Sequence, residues 1–253
     1  MRQSFLSITI PLALIPILLL AYWRLRLKRL KSYPSSFGKI EVFKKYNGEK
    51  LLAINTYPQG VSIEQESIKK SYWFAIAQQI VKFCKGKKEP QVLMLGLGAN
   101  TIPNLIAQQN PKIYQTLVEI NYSIIQACQN FFNLNNLPNY QLIQADAFEL
   151  VKQRGAFKNK FDVIIVDIYI GKPPFVDLKS LEPSFIENLL PHLKPEGMII
   201  FNKPGHTKEA RSDSQILKKY LTTLFSKTQL FDINDPRGYK NNLVLGIRKI
   251  VKR

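Results

Sequence analysis

Three stretches decide the fold: Val92-Leu93-Met94-Leu95 running into Gly96-Leu97-Gly98-Ala99-Asn100-Thr101, Gln115-Thr116-Leu117-Val118 running into Glu119, and Phe161-Asp162-Val163-Ile164-Ile165-Val166 running into Asp167. Each is a short apolar run suited to a strand buried on both faces, and each ends in a glycine loop or a carboxylate. Ligands bind beyond the carboxyl ends of the strands in an open parallel sheet, so these three endings are placed to meet one ligand together. The pattern predicts a site for a nucleotide-type cofactor.

Strands and helices alternate around these runs. Strands are expected over 91–96, 114–119, 140–144, 161–167 and 197–202. Helices are expected over 101–108, 121–132, 147–152, 181–190 and 209–225. Such alternation implies right-handed crossovers and a mostly parallel sheet with helices on both faces. Thr228 to Ile233 and Asn242 to Ile247 close the domain as an antiparallel pair. Upstream, Ser67 to Phe83 carries a 3.6-residue apolar stripe and reads as a helix. Before it, Lys39 to Tyr46 and Leu51 to Tyr57 flank Asn47-Gly48, the turn most favoured in two-residue hairpins. A third short strand follows at Val61 to Ile63. The fold class read here is α/β: a Rossmann-like, seven-stranded sheet preceded by a small β-hairpin region and an N-terminal transmembrane helix.

That helix is read from Gln3 to Trp23, which hold no charged residue. At ~1.5 Å rise per residue the segment reaches across a hydrocarbon core of ~30 Å. Arg24, Arg26, Lys28, Arg29 and Lys31 follow it, and the positive-inside rule then places the remaining chain in the cytoplasm. No small-x-small cleavage site stands at its end. The expected organisation is a signal anchor with a basic juxtamembrane segment over 1–31, a linker and hairpin region over 32–66, and the main domain over 67–253.

The formal charge of +18 draws the chain toward anionic partners without specifying a fold. Its basic residues are scattered and lack aromatic interleaving, so no nucleic-acid partner is expected. Cys84 and Cys128 are too far apart in sequence for a metal-ligand spacing, which leaves neither a zinc site nor a disulfide framework. No metal is expected.

At the site, Gly96 and Gly98 let the backbone turn sharply and approach a ligand. A third glycine is missing, since position 101 is Thr. Glu119 lies 21 residues beyond Gly98, at a strand end where a carboxylate accepts both ribose hydroxyls. Asp146 follows Leu142-Ile143-Gln144-Ala145 and either accepts from an adenine amino group or caps the helix behind it. The missing glycine and Asp146 together favour a single adenosyl group over NAD. Asp167 reads as a base or anchor for an acceptor, or as a structural acid capping the loop 168–174. Tyr169 and Asn202 face the same rim, and His206 is a candidate second base. His192 reads as a helix-end residue.

These residues resemble the spermidine synthase-like branch of the class I S-adenosylmethionine-dependent transferases. The resemblance covers residues 38 to 248 and is carried by Gly96 to Thr101, Val118-Glu119-Ile120, Gln144-Ala145-Asp146-Ala147 and Val166-Asp167. It implies a cofactor set of Gly96, Leu97, Gly98, Asn100, Glu119, Ile120, Asp146 and Ala147, with Asp167 catalytic and Tyr72 and Tyr169 contacting substrate. In that family the first motif looks like Gly-Gly-Gly-Asp-Gly-Gly, so Ala99, Asn100 and Thr101 depart from it. The family's Asp-Ser-Ser-Asp-Pro loop is here Asp167-Ile168-Tyr169-Ile170-Gly171, which keeps the first acid alone. Ile63 stands where a glutamine is expected, nine residues before Tyr72.

Three functions are compatible with this reading. The main expectation is a membrane-anchored transferase using S-adenosylmethionine to methylate a small-molecule acceptor. The alternative is a divergent aminopropyltransferase using decarboxylated S-adenosylmethionine, with Asp177 or Glu182 replacing the missing acid. The third is a catalytically silent adenosyl-binding membrane module. A homodimer is one assembly open to all of them.

Overall fold

The computed structural model of the chain describes residues 27–169 and 178–248. Seven strands form the main sheet: β5 (Gln91–Leu95), β6 (Tyr114–Glu119), β7 (Tyr140–Gln144), β8 (Phe161–Val166), β9 (Leu193–Pro204), β10 (Lys227–Asn234) and β11 (Lys240–Ile247). Their order is β10-β11-β9-β8-β5-β6-β7. The five strands from β9 to β7 run parallel, and β11 is antiparallel to both β9 and β10. The chain reverses its direction of travel across the sheet between β5 and β8, and a ligand crevice opens at such a switch point.

Period-two alternation sorts the strand residues into two cores. Val92, Met94, Val163, Ile165, Met198 and Ile200 face one side, with α1 (Tyr72–Cys84), α2 (Thr101–Gln109) and α3 (Tyr122–Phe131) packed over them. Leu93, Leu95, Ile164, Val166, Ile199 and Phe201 face the other. There they meet the short α4 (Ala147–Leu150), α5 (Pro183–Leu189) and α6 (Lys208–Leu224). Every residue of β8 is buried, as a central strand covered on both faces requires.

A second, antiparallel sheet precedes the main one: β1 (Leu27–Tyr33), β2 (Ile40–Lys45), β3 (Lys50–Ile54) and β4 (Tyr57–Val61). Asn47-Gly48 forms the β2–β3 turn, with Gly48 at φ +88°. The basic run expected to flank a membrane is instead largely strand: Leu27 to Tyr33 pair with β2, and Arg29 reaches Glu41 at 3.1 Å. The transmembrane helix of the expected fold class, and the single-pass placement built on it, are corrected accordingly. No helix among the described residues is long and apolar enough to cross a membrane, and Gln3 to Trp23 lies outside them.

The segment after β1 is not a loose connection. Ser123 donates through Oγ to the Pro34 carbonyl at 2.6 Å, Asn121 donates to Ser35 Oγ at 2.9 Å, and Asn130 donates to the Tyr33 hydroxyl at 3.0 Å. These bonds seat residues 33–35 on α3 and its N-terminal cap.

Candidate active site

The glycine loop after β5 is clamped from two sides. Gly96 has φ +91°, and a Cβ there would lie 2.2 Å from the carbonyl oxygen of Asp167. Gly98 has φ +55°, and a Cβ there would lie 2.7 Å from the Gln59 carbonyl oxygen. Thr101, at the place of the missing third glycine, donates from Oγ1 to the Val61 carbonyl at 2.7 Å and accepts from the Val61 amide at 3.1 Å. Gly60 gives Ala99 and Thr101 room to come this close. The departures at 99 and 101 thus dock β4 onto the loop.

A cavity of about 340 Å³ opens along the carboxyl edge of the sheet, bordered by the ends of β5, β6 and β8 and by β4, α1 and β11. At its β6–β7 end stands Glu119, only 7% exposed. One carboxylate oxygen accepts from the Leu97 amide at 3.0 Å and the other from the Asn121 amide at 2.8 Å. Burial pushes its pKa up, opposed by those amides. Asp146 caps α4, its Oδ1 accepting from the Phe148 amide at 2.8 Å, and the residue also lines the cavity. Ile120 and Ala147 line it as well.

Two members of the expected cofactor set lie elsewhere. Asn100 adopts the left-handed conformation at φ +56° and is wholly buried, donating to the Phe132 carbonyl at 3.0 Å. Leu97 sits in the core, and its amide is taken up by Glu119. Neither borders the cavity.

At the other end Asp167 emerges where β8 stops. Asn202 donates to its Oδ1 at 2.8 Å, Asn241 donates to Asn202 Oδ1 at 3.0 Å, and Asn241 also donates to the Tyr169 hydroxyl at 3.3 Å. Burial pushes the Asp167 carboxyl up to about 6, against the Asn202 bond and the positive charge of Lys203. Burial and the nearby Asp167 charge hold the Tyr72 and Tyr169 phenols well above their ordinary range, so both stay neutral donors. Trp73 lies 4.4 Å from Tyr72 and 5.8 Å from Tyr239, ring centre to ring centre, and all three border the cavity. Behind this wall the Arg237 guanidinium sits 5.9 Å from the Trp73 ring and bonds Glu49 and Asp235 at 3.2 Å each. Lys45 completes the cluster on Glu49.

His206 lines the cavity from the loop after β9, whereas buried His192 bonds the Val151 carbonyl at 2.9 Å, away from it. Glu182 precedes α5 and does not border the cavity, and Asp177 lies outside the described residues. Both cysteines are buried free thiols, with Cys84 pushed up to about 12, chiefly by burial. Trp73, Tyr239, Asn241 and Phe37 also face the cavity and went unremarked in the sequence. Their one local signal is aromatic or amide character at an element end, which singles out no site.

Fold and site together define an α/β protein of the class I S-adenosylmethionine-dependent transferase fold. The family model for the spermine/spermidine synthase domain matches residues 74–246, and the chain belongs to that family. It is 22% identical over 134 residues to a polyamine aminopropyltransferase of Vibrio vulnificus (strain CMCP6), a match that covers 53% of this chain and 44% of that protein. The chain thus aligns with less than half the length of that curated relative. Among solved structures, a probable spermidine synthase from Corynebacterium glutamicum ATCC 13032 superposes with a TM-score of 0.68 at 20% identity, covering 86% of this chain and 79% of the other. Spermidine synthase from Thermotoga maritima gives 0.66 at 16% identity, covering 88% and 74%. At these identities the structural likeness is one of fold. Human methyltransferase-like protein 13, in complex with SAH, also superposes, with a TM-score of 0.55 at 20% identity, covering 70% and 78%. Methyl transfer, the main expectation from sequence, finds no support in the family model or in the curated relative.

Proposed function

We propose that this protein is an aminopropyltransferase that uses decarboxylated S-adenosylmethionine and an amine acceptor. The observation that carries the reading is Asp167. It is a carboxyl raised to about 6, at the end of the central strand, with its backbone packed against Gly96 of the cofactor loop. The named activity of the curated relative agrees with it.

The residues divide the work along the cavity. Glu119 would hold the ribose hydroxyls and Asp146 the adenine amino group, with Ile120 against the base. The named activity of the curated relative favours the decarboxylated cofactor over the parent one and aminopropyl over methyl transfer. When bound, the cofactor supplies an electrophilic carbon attached to a sulfonium, with a neutral thioether as leaving group. Asp167 would accept a proton from the acceptor's ammonium and free the nitrogen lone pair for in-line attack. A carboxylate near 6 is a stronger base than an ordinary aspartate and is still ionised at neutral pH. The Asn202–Asn241–Tyr169 chain fixes its rotamer, since proximity helps only while the reacting groups keep their orientation.

Turnover decides the matter. The full-length chain, given decarboxylated S-adenosylmethionine and an amine, should release methylthioadenosine. Production of S-adenosylhomocysteine from S-adenosylmethionine, with no methylthioadenosine from the decarboxylated form, would replace this reading with methyl transfer.

A further inference from the structure

We infer that Phe37 is a cofactor-binding residue: its ring stacks on the adenine of the bound adenosyl group, and the turn that carries it is tied to the residue that holds Glu119. The inference rests on the adenosyl-binding part of the proposed function and adds a contact to it.

Phe37 belongs to the chain between β1 and β2, far in sequence from the glycine loop, yet it borders the cavity together with Glu119, Ile120 and Asn121. It is 45% exposed, and Ile120 is 39% exposed. Small-molecule sites are lined chiefly by apolar and aromatic side chains whose surface the ligand covers, with a few polar groups to orient it. Here the two open apolar side chains stand beside the carboxylates of Glu119 and Asp146. The adenine is the flat, aromatic part of the cofactor, so it is the part suited to that apolar surface. Its amino group goes to Asp146, one face rests on Ile120, and the ring of Phe37 takes the other. Stacking of this kind needs a π face on each partner and no further hydrogen bond.

Two anchors set the ring in place before a ligand arrives. On its N-terminal side, Ser35 Oγ accepts from the Phe37 amide at 3.0 Å and from Asn121 Nδ2 at 2.9 Å. The Asn121 amide donates to Glu119 Oε1 at 2.8 Å. Ser35 and Asn121 therefore connect Phe37 to the carboxylate assigned to the ribose. On its C-terminal side, the Lys39 amide donates to Asn55 Oδ1 at 2.8 Å, and the Asn55 amide donates to the Lys39 carbonyl at 2.9 Å. Gly38 makes this approach possible: at φ +115°, a Cβ there would lie 2.2 Å from Asn55 Nδ2. A turn held at both ends loses little freedom when the ligand settles on it, and such preorganisation favours binding. The small N-terminal sheet thus contributes directly to the cofactor site.

The test is methylthioadenosine binding by the full-length chain, measured by calorimetry. Phe37→Ala should weaken it by roughly 10–100-fold, the scale on which truncation removes one base–aromatic stack, with the melting temperature of the free protein retained because the side chain is half-exposed. Phe37→Trp should bind near the parent affinity. Its new indole should lose emission on binding, beyond any change in the parent protein, whose Trp73 borders the same cavity. Parent-like affinity in a folded Phe37→Ala variant, or an indole at position 37 whose emission does not respond to binding, would overturn this inference and leave adenosyl binding standing. A parent protein that binds neither methylthioadenosine nor decarboxylated S-adenosylmethionine would overturn the proposed function, and this inference with it.

Discussion

Thr101 and Val61 are joined in both directions, the threonine hydroxyl donating to the valine carbonyl at 2.7 Å and accepting from its amide at 3.1 Å. One side chain at the start of α2 therefore ties the small sheet to the cofactor loop. Thr101→Val keeps the shape and strands a buried amide and a buried carbonyl. At about 1–3 kcal/mol for each of the two groups left unsatisfied, we expect a loss of roughly 2–6 kcal/mol in urea denaturation. A loss below about 0.5 kcal/mol would show that β4 is held by its other contacts.

Glu119 is expected to carry the ribose. Glu119→Gln replaces one acceptor oxygen by an NH2 that must face either the Leu97 or the Asn121 amide. It also removes the charge that strengthens these hydrogen bonds. Affinity for methylthioadenosine should fall by roughly 10–100-fold, corresponding to ~1.4–2.7 kcal/mol, as measured by calorimetry. Unchanged affinity in a folded variant would place the ribose elsewhere.

Asp167 gives two pH signatures of opposite sense. As a base it must be ionised, so kcat/KM should fall as pH drops through about 6. Asp167→Asn should lower turnover by roughly 10²–10⁴ and abolish that limb. For stability, a carboxyl raised in the folded state binds more protons there than in the unfolded chain between its ordinary value of 3.8 and about 6. Its charge therefore destabilises the fold progressively as pH rises through that window. Asp167→Asn should melt higher than the parent protein at pH 8, with the gap closing toward pH 4. A variant that melts lower at pH 8 and turns over normally would make Asp167 a loop cap.

Arg237 holds the wall behind the acceptor end. Arg237→Met keeps much of the packing on Trp73 but leaves Glu49 and Asp235 short of a cation in a buried place. Breaking a buried ion cluster from one side costs about 3 kcal/mol or more. We expect that loss in chemical denaturation, together with a raised KM for the amine as Trp73 and Tyr239 lose their backing. A rise in kcat with stability unchanged would contradict it.

Much of the fold was legible because the main strands are continuous apolar runs between turn residues. Their ends at Leu95, Glu119, Gln144 and Val166 fall within a residue of expectation. The positions of Glu119, Asp146 and Asp167 along the cavity were legible for the same reason, since a strand end fixes where its next residue sits. β1 was not. Leu27-Lys28-Arg29-Leu30-Lys31 has no clean alternation, because a bulge at Leu30 resets the register, and its charges suit an exposed edge strand as well as a membrane flank. The placement of Asn100 away from the cavity was not legible, because the direction of its side chain depends on a left-handed backbone and on Phe132, 32 residues away. Tyr239 and Asn241 reach the cavity only through the pairing of β11 with β9, a contact without a local signature.

The 2.2 Å that would separate a Gly96 Cβ from the Asp167 carbonyl oxygen also limits which changes this chain can absorb. Under the proposed function the loop that seats the cofactor and the acid that serves the acceptor share one main-chain junction, so a side chain at position 96 would displace both at once.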